Sequence, residues 1–135
     1  MRVEGENMKN LIFFLLVMSA LVIGSASWGA KAASGKDKAT FVFTEPVILQ
    51  GIVLEGEYLF VHNDEAMKRG EACTFVYKGN AEVVSRLVVS FHCIPRQREK
   101  TSHFLVRTIK TAPGTFEFRE FQFRGDTESH VVPAK

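Results

Sequence analysis

The sequence predicts an all-β fold, a small antiparallel β-sandwich or barrel of about six to eight short strands. From Thr40 onward the chain consists of short runs rich in valine, isoleucine, threonine and aromatic residues, as in β-strands. Turn-forming residues separate these runs at short intervals. The chain also holds 12 phenylalanines, most of them in the predicted strands, which suits a packed aromatic core.

The N-terminus predicts a signal-peptide helix ahead of this domain. Leu11–Ile23 is an apolar run, and the small residues of Gly24–Ser27 follow it as in a cleavage zone. Met8 suits the true start better than Met1, because Lys9 then places positive charge directly before the apolar run. We therefore expect a secreted or periplasmic protein with no membrane span after cleavage.

An uncleaved membrane anchor is the alternative interpretation of the same region. Leu11–Ala30 carries no charge and is long enough to span a bilayer. On the preferred interpretation, residues 1–33 are signal peptide and leader, residues 34–39 a flexible linker, and residues 40–135 a single β-domain.

The first predicted elements form a hairpin. Pro46 cannot donate to a ladder, so the opening strand is expected to end there or to lie at a sheet edge. Glu55-Gly56 is a turn signal, because Gly56 accepts the positive φ of a tight hairpin. The predicted strands here are Thr40–Thr44, Val47–Gln50, Ile52–Leu54 and Tyr58–His62.

The middle of the chain predicts one helical turn between strands. Asn63–Glu71 is polar; Asp64 can cap the turn and Gly70 can end it. Two strands follow, joined through Gly79-Asn80: Ala72–Lys78 and Val83–Ile94.

The last third predicts a charged loop, two strands and a short pairing in the tail. Phe116 and Phe118 differ in parity from Phe121 and Phe123, so a β-bulge at Arg119-Glu120 is needed to bring all four rings to one face. The segments are the loop Pro95–Ser102, the strands His103–Lys110 and Thr115–Arg124, and Val131-Val132.

Residues Pro46–Phe60 (PVILQGIVLEGEYLF) resemble the opening hairpin of small secreted bacterial β-proteins. The similarity covers turn glycines and strand hydrophobics only. It implies a secreted β-fold and transfers no site residue.

Charge argues against a nucleic-acid partner. The 17 Lys and Arg include Arg2, Lys9 and Lys31 of the leader, and the 15 Asp and Glu include Glu4 and Glu6. From Ser34 onward 14 basic residues therefore face 13 acidic ones, a balance unlike the concentrated basic surface of nucleic-acid binders. A protein partner stays open.

Cys73 and Cys93 are the candidate disulfide of an exported protein. Alternation places both on the apolar face that also carries Phe75 and Phe91. If a long loop ends at Leu87, Cys73 faces Cys93. If the turn is Gly79-Asn80-Ala81, the cysteines lie roughly 20 Å apart and remain reduced.

The same stretch holds the residue types of a soft metal site for copper or zinc. The alternative to a bridge is therefore a metal centre drawn from His62, Met67, Cys73, His92 and Cys93. Spacing gives this set no motif, and neighbours His92 and Cys93 point to opposite faces of a strand.

No nucleophile elbow or phosphate loop is present in the sequence, so no catalytic residue is predicted. The sequence thus favours an exported, non-catalytic β-sandwich that acts as a binding or structural module, with an unknown ligand. The alternative is a periplasmic copper- or zinc-handling protein using His62, Met67 and the cysteines.

Overall fold

A computed structural model of the chain describes residues 35–135. The predicted signal peptide, the start at Met8 and the alternative anchor Leu11–Ala30 lie outside this range. Within it, no helix combines the length and the apolar character that crossing a bilayer requires.

Over residues 35–135 the all-β prediction is confirmed, with eight strands and very little helix. A five-residue helix, α1 (Asp64–Lys68), follows the second strand, and a single turn of 3-10 helix (Val84–Arg86) precedes the fourth. The strands are β1 (Lys36–Leu49), β2 (Ile52–Asn63), β3 (Thr74–Lys78), β4 (Leu87–Phe91), β5 (Ile94–Gln97), β6 (Leu105–Ala112), β7 (Thr115–Gln122) and β8 (Glu128–Val131).

All eight strands belong to one curled sheet that forms a half-barrel. The order is β4-β3-β2-β1-β7-β8-β5, and β6 pairs with β7. All pairs are antiparallel except β1 with β7, which are parallel at Ile48 and Glu117. Since β6 follows β7 along its length, β1 and β8 share the other edge of β7. The curl brings the ends of β2 and β8 together, and the candidate site lies there.

The first hairpin turns at a different place from the predicted one. Gln50 and Gly51 both have positive φ (46° and 81°), the conformation of a tight two-residue hairpin turn. The strand β2 continues through Gly56, whose own positive φ lies opposite a bulge between Phe43 and Val47 of β1. Pro46 therefore sits in that bulge, where its missing N–H costs no ladder bond, and β1 does not end at it.

The strand β1 begins at Lys36, within the segment expected to be a flexible linker. Lys36 and Asp37 pair with Asn63 and His62 of β2. The ladder therefore extends beyond the apolar residues on which the boundary at Thr40 was based. It places Asp37 beside His62.

The predicted bulge in β7 is confirmed. Arg107 pairs with Glu120 and Thr108 with Phe118, so Arg119 is the extra residue. Phe118, Phe121 and Phe123 are buried, and Phe116 packs against the same core. Phe60 stacks on Phe118 with ring centroids 5.5 Å apart, at the centre of the aromatic core.

The opposite face of β7 buries a carboxylate among arginines. Glu120 accepts two hydrogen bonds from Arg98 (2.9 and 2.7 Å), one from Arg107 (2.9 Å) and one from Ser129. Burial alone raises the pKa of Glu120, but hydrogen bonds from Arg98 and Ser129 and the charges of the arginines bring it to about 2. Arg98 and Arg107 thus anchor this cluster.

Candidate metal centre

The two cysteines are positioned by the backbone just outside regular strands. Cys73 precedes β3, and Cys93 lies in the break between β4 and β5. The amide of Cys73 donates to the carbonyl of Phe91 (3.0 Å), and the amide of Cys93 donates to Cys73 Sγ (3.3 Å). These bonds hold the end of β4 against the start of β3, so both side chains enter the interior together.

The hairpin has the long loop but not the register expected with it. Thr74 pairs with Phe91 and Val76 with Val89, so Cys73 has no direct partner at Cys93. The core face of β3 therefore carries Thr74 and Val76, and the prediction that Phe75 and Tyr77 face the core is wrong. Cys73 is buried because it precedes the strand, where alternation no longer applies.

Cys93 Sγ is the centre of the cluster. It lies 3.3 Å from Cys73 Sγ and 3.3 Å from Nε2 of His62. The donor atoms of these three residues all lie within 4.8 Å of one another, and each side chain is 0% exposed. The sulfur separation exceeds the roughly 2.05 Å of a disulfide, and both cysteines are free thiols in this structure.

His130 of β8 also contacts this cluster, which the sequence did not reveal. Its Nδ1 lies 3.4 Å from Cys93 Sγ, and the residue is only 2% exposed. Its ring packs on His62 (centroids 4.0 Å apart) and stacks on Phe121 (5.0 Å). Pairing of β8 with β5 and β7 places it here; the short pairing predicted at Val131-Val132 falls at the end of β8, but its partner strands were not predicted.

Two residues of the predicted set lie elsewhere. His92 is exposed and its Nδ1 lies 2.8 Å from the carbonyl oxygen of Glu71, on the opposite side from Cys93 as alternation predicted. Met67 packs against the hydrophobic core from α1. The structure therefore brings together His62, Cys73 and Cys93 of the five candidates.

The second nitrogen of His62 faces two carboxylates. Nδ1 lies 3.1 Å from an oxygen of Asp64, and Asp37 is the cross-strand neighbour of His62. The contact with Asp64 is close in distance but lacks hydrogen-bond geometry. Within the described residues, Nδ1 is a buried polar atom without a hydrogen-bond partner.

Burial sets the protonation of the site. It raises the pKa of Cys93, with the help of its hydrogen bond to Cys73, to about 12. Burial also lowers the pKa of His130 to about 3, assisted by the neighbouring His62, and lowers that of His62 against the opposing charges of Asp64 and Asp37. At neutral pH the Cys93 thiol and both imidazoles are thus neutral.

The donor set fits a thiophilic metal ion. Zinc bonds near 2.3 Å to sulfur and near 2.0 Å to nitrogen place tetrahedral ligand atoms about 3.5 to 3.8 Å apart. The observed separations from Cys93 Sγ, 3.3 and 3.4 Å, are shorter by only a few tenths of an ångström. His62, Cys73 and Cys93 can therefore hold a metal ion after a small expansion.

The chain matches no protein-family model, no curated protein and no solved structure. The donor geometry therefore has to carry any functional conclusion.

Proposed function

We propose that this protein binds Zn²⁺ through the thiolates of Cys73 and Cys93, Nε2 of His62 and Nδ1 of His130. The observation that carries the proposal is the convergence of three fully buried donor atoms within 4.8 Å. These residues come from three separate parts of the chain, so their meeting is a property of the fold and not of a short motif.

Burying these polar side chains costs free energy unless each has a bonding partner. Two histidines and two thiols inside an aromatic core lose hydration, and the weak sulfur contacts recover only part of that loss. A bound cation would turn the same groups into ligands. Asp64 then acts as the outer partner of the ligating His62, an arrangement that orients the ring and raises its basicity.

Cu⁺ is the second candidate, and one observation favours it. His62, Cys73 and Cys93 converge without His130, which gives a trigonal set of two sulfurs and one nitrogen. Soft thiolate ligands select both Cu⁺ and Zn²⁺. The role of His130 therefore separates the two ions, because only the four-coordinate site requires it.

The site is closed, which supports a binding or structural role and not catalysis. All four donor residues are at most 2% exposed, so a substrate has no route to an open coordination position there. Structural zinc sites are closed in this way, whereas catalytic ones keep a position for water.

Oxidation competes with metal binding. The sulfurs need only approach by about an ångström to form the disulfide first expected for Cys73 and Cys93, which removes both thiolate ligands. The predicted export places the chain where such oxidation is favoured. We propose that the reduced protein is the metal-binding form.

Competition of the reduced protein against a chromophoric zinc chelator tests the proposal. We expect one equivalent of Zn²⁺, and an affinity lowered roughly 100-fold or more in Cys93→Ser and His62→Ala, which remove a ligand. His92→Ala is the matched control, because His92 lies outside the cluster. An affinity equal in Cys93→Ser and His92→Ala would exclude the site.

A further inference from the structure

His62 presents its two ring nitrogens to two different sets of donors. Nε2 faces Cys93, whereas Nδ1 faces the carboxylates of Asp37 and Asp64. One ring nitrogen of His62 and one oxygen from each carboxylate lie within 4.8 Å of one another, and Nδ1 is the nitrogen 3.1 Å from Asp64. The donor atoms of this outer set are thus close enough to share one ion.

The outer set differs from the thiolate cluster in access. Asp64 has a side chain 51% exposed and Asp37 is half-buried, while His62 is fully buried. Nδ1 is buried and lies 3.1 Å from an oxygen of Asp64 without the geometry of a hydrogen bond. A buried ring nitrogen that makes no hydrogen bond, beside two more accessible carboxylates, is a position that a cation would satisfy.

From this arrangement we infer a second, outer cation site, in which Nδ1 of His62 and the carboxylates of Asp37 and Asp64 bind Zn²⁺. It rests on its own donors, and only His62 is shared with the thiolate site of the proposed function.

Mixed nitrogen and oxygen donors suit Zn²⁺ better than Cu⁺, which prefers sulfur. Two further acids lie nearby: Asp126 interacts electrostatically with Asp37, Asp64 and Glu128, and Glu128 interacts with His62. Their charges attract a divalent cation to this end of the sheet. Three protein ligands leave room for water, as expected for a weaker and exchangeable site.

The two sites exclude each other unless His62 loses its second proton. A neutral imidazole offers one lone pair, so an ion on Nδ1 requires the proton on Nε2, and an ion on Nε2 requires it on Nδ1.

Removing the thiolates isolates the outer site. In Cys73→Ser/Cys93→Ser we expect one equivalent of Zn²⁺, bound more weakly and with only nitrogen and oxygen neighbours by X-ray absorption. Adding Asp37→Asn and Asp64→Asn is expected to lower this affinity roughly 10-fold or more, by the loss of two ligands. Adding Glu65→Gln, an exposed acid on the same helix, should leave it unchanged.

Wild type oxidised to the Cys73–Cys93 disulfide provides a second thiolate-free form if the serine variant fails to fold. An absence of Zn²⁺ binding in both forms overturns the outer site, and so does equal affinity in the asparagine and Glu65→Gln variants. These results leave the thiolate site intact. Conversely, nitrogen and oxygen neighbours alone in reduced wild type would refute the thiolate site and leave the outer one.

Discussion

His130 illustrates how a single side chain decides the coordination number. It lies within 3.4 Å of Cys93 Sγ but is held by packing against His62 and Phe121. We expect His130→Ala to weaken Zn²⁺ binding by about 10- to 100-fold, and to leave Cu⁺ affinity nearly unchanged. Competition titrations with both ions measure this, with the exposed His103→Ala as control. Equal losses for both ions would contradict a three-coordinate Cu⁺ site.

Glu120 makes the free energy of unfolding depend on pH in the acidic range. Its folded-state pKa of about 2 lies below the ordinary 4.5. The contribution of the Glu120 carboxylate to stability is therefore complete above pH 4.5 and is lost as the pH falls toward 2. Because its arginine partners are partly exposed, solvent screens their interaction with Glu120. We therefore expect the free energy of unfolding to fall by roughly 2 kcal/mol between about pH 5 and pH 2 on account of Glu120.

Urea unfolding of Glu120→Gln across that range measures this contribution. The variant should be less stable than wild type at neutral pH and should lose less on acidification. Glu117→Gln is the control, because Glu117 forms only an exposed ion pair with Arg119. Parallel pH profiles for wild type and Glu120→Gln would contradict the assignment.

Residue types alone identified His62, Cys73 and Cys93, because soft ligands in an apolar chain are few. The same criterion could not separate them from His92 and Met67. That distinction depends on where β4 ends and on how α1 packs. His130 was beyond reach, since only the long-range pairing of β5 with β8 brings it to the cysteines.

At the scale of the element, the bulge in β7 controls which side of the strand enters the core. Deleting Arg119 restores simple alternation and turns Phe121 and Phe123 away from the face of Phe118. We expect a loss of at least about 3 kcal/mol in the free energy of unfolding, comparable with truncating one buried phenylalanine.

Arg119→Ala is the matched control for this deletion. It keeps the extra residue and removes only an exposed ion pair, so it should cost less than about 1 kcal/mol. Urea denaturation compares the two. A deletion no worse than Arg119→Ala would show that the bulge does not set the phase of the strand.

This bulge was predictable because the phenylalanine parity changes within one strand. Other elements gave weaker signals. The turn at Gln50-Gly51 was missed because Gly56 is an equally good turn residue, and β5 was hidden by its exposed, charged sequence. The register of β3 with β4 also escaped prediction, since the break at His92-Cys93 ends the alternation on which it was based.

Across the whole molecule, the thiolate site connects the end of β2, the start of β3, the start of β5 and strand β8. An ion bound there would link segments far apart in sequence. Zn²⁺ at about 100 times its Kd should stabilise the fold by about 2.7 kcal/mol. For a domain of this size that raises Tm by roughly 10 to 20 °C.

Thermal unfolding of the reduced protein, before and after chelation, measures this shift. Cys73→Ser/Cys93→Ser should respond much less to the chelator, because it keeps only the weaker outer site. A reduced wild-type protein whose Tm is the same with Zn²⁺ and with chelator would contradict a stabilising metal centre.

X-ray absorption at the zinc edge of the reduced wild-type protein, loaded with one equivalent of Zn²⁺, tests the central claim most directly. The thiolate site predicts two sulfur neighbours near 2.3 Å together with one or two nitrogen neighbours near 2.0 Å. A first shell of nitrogen and oxygen without sulfur would contradict it.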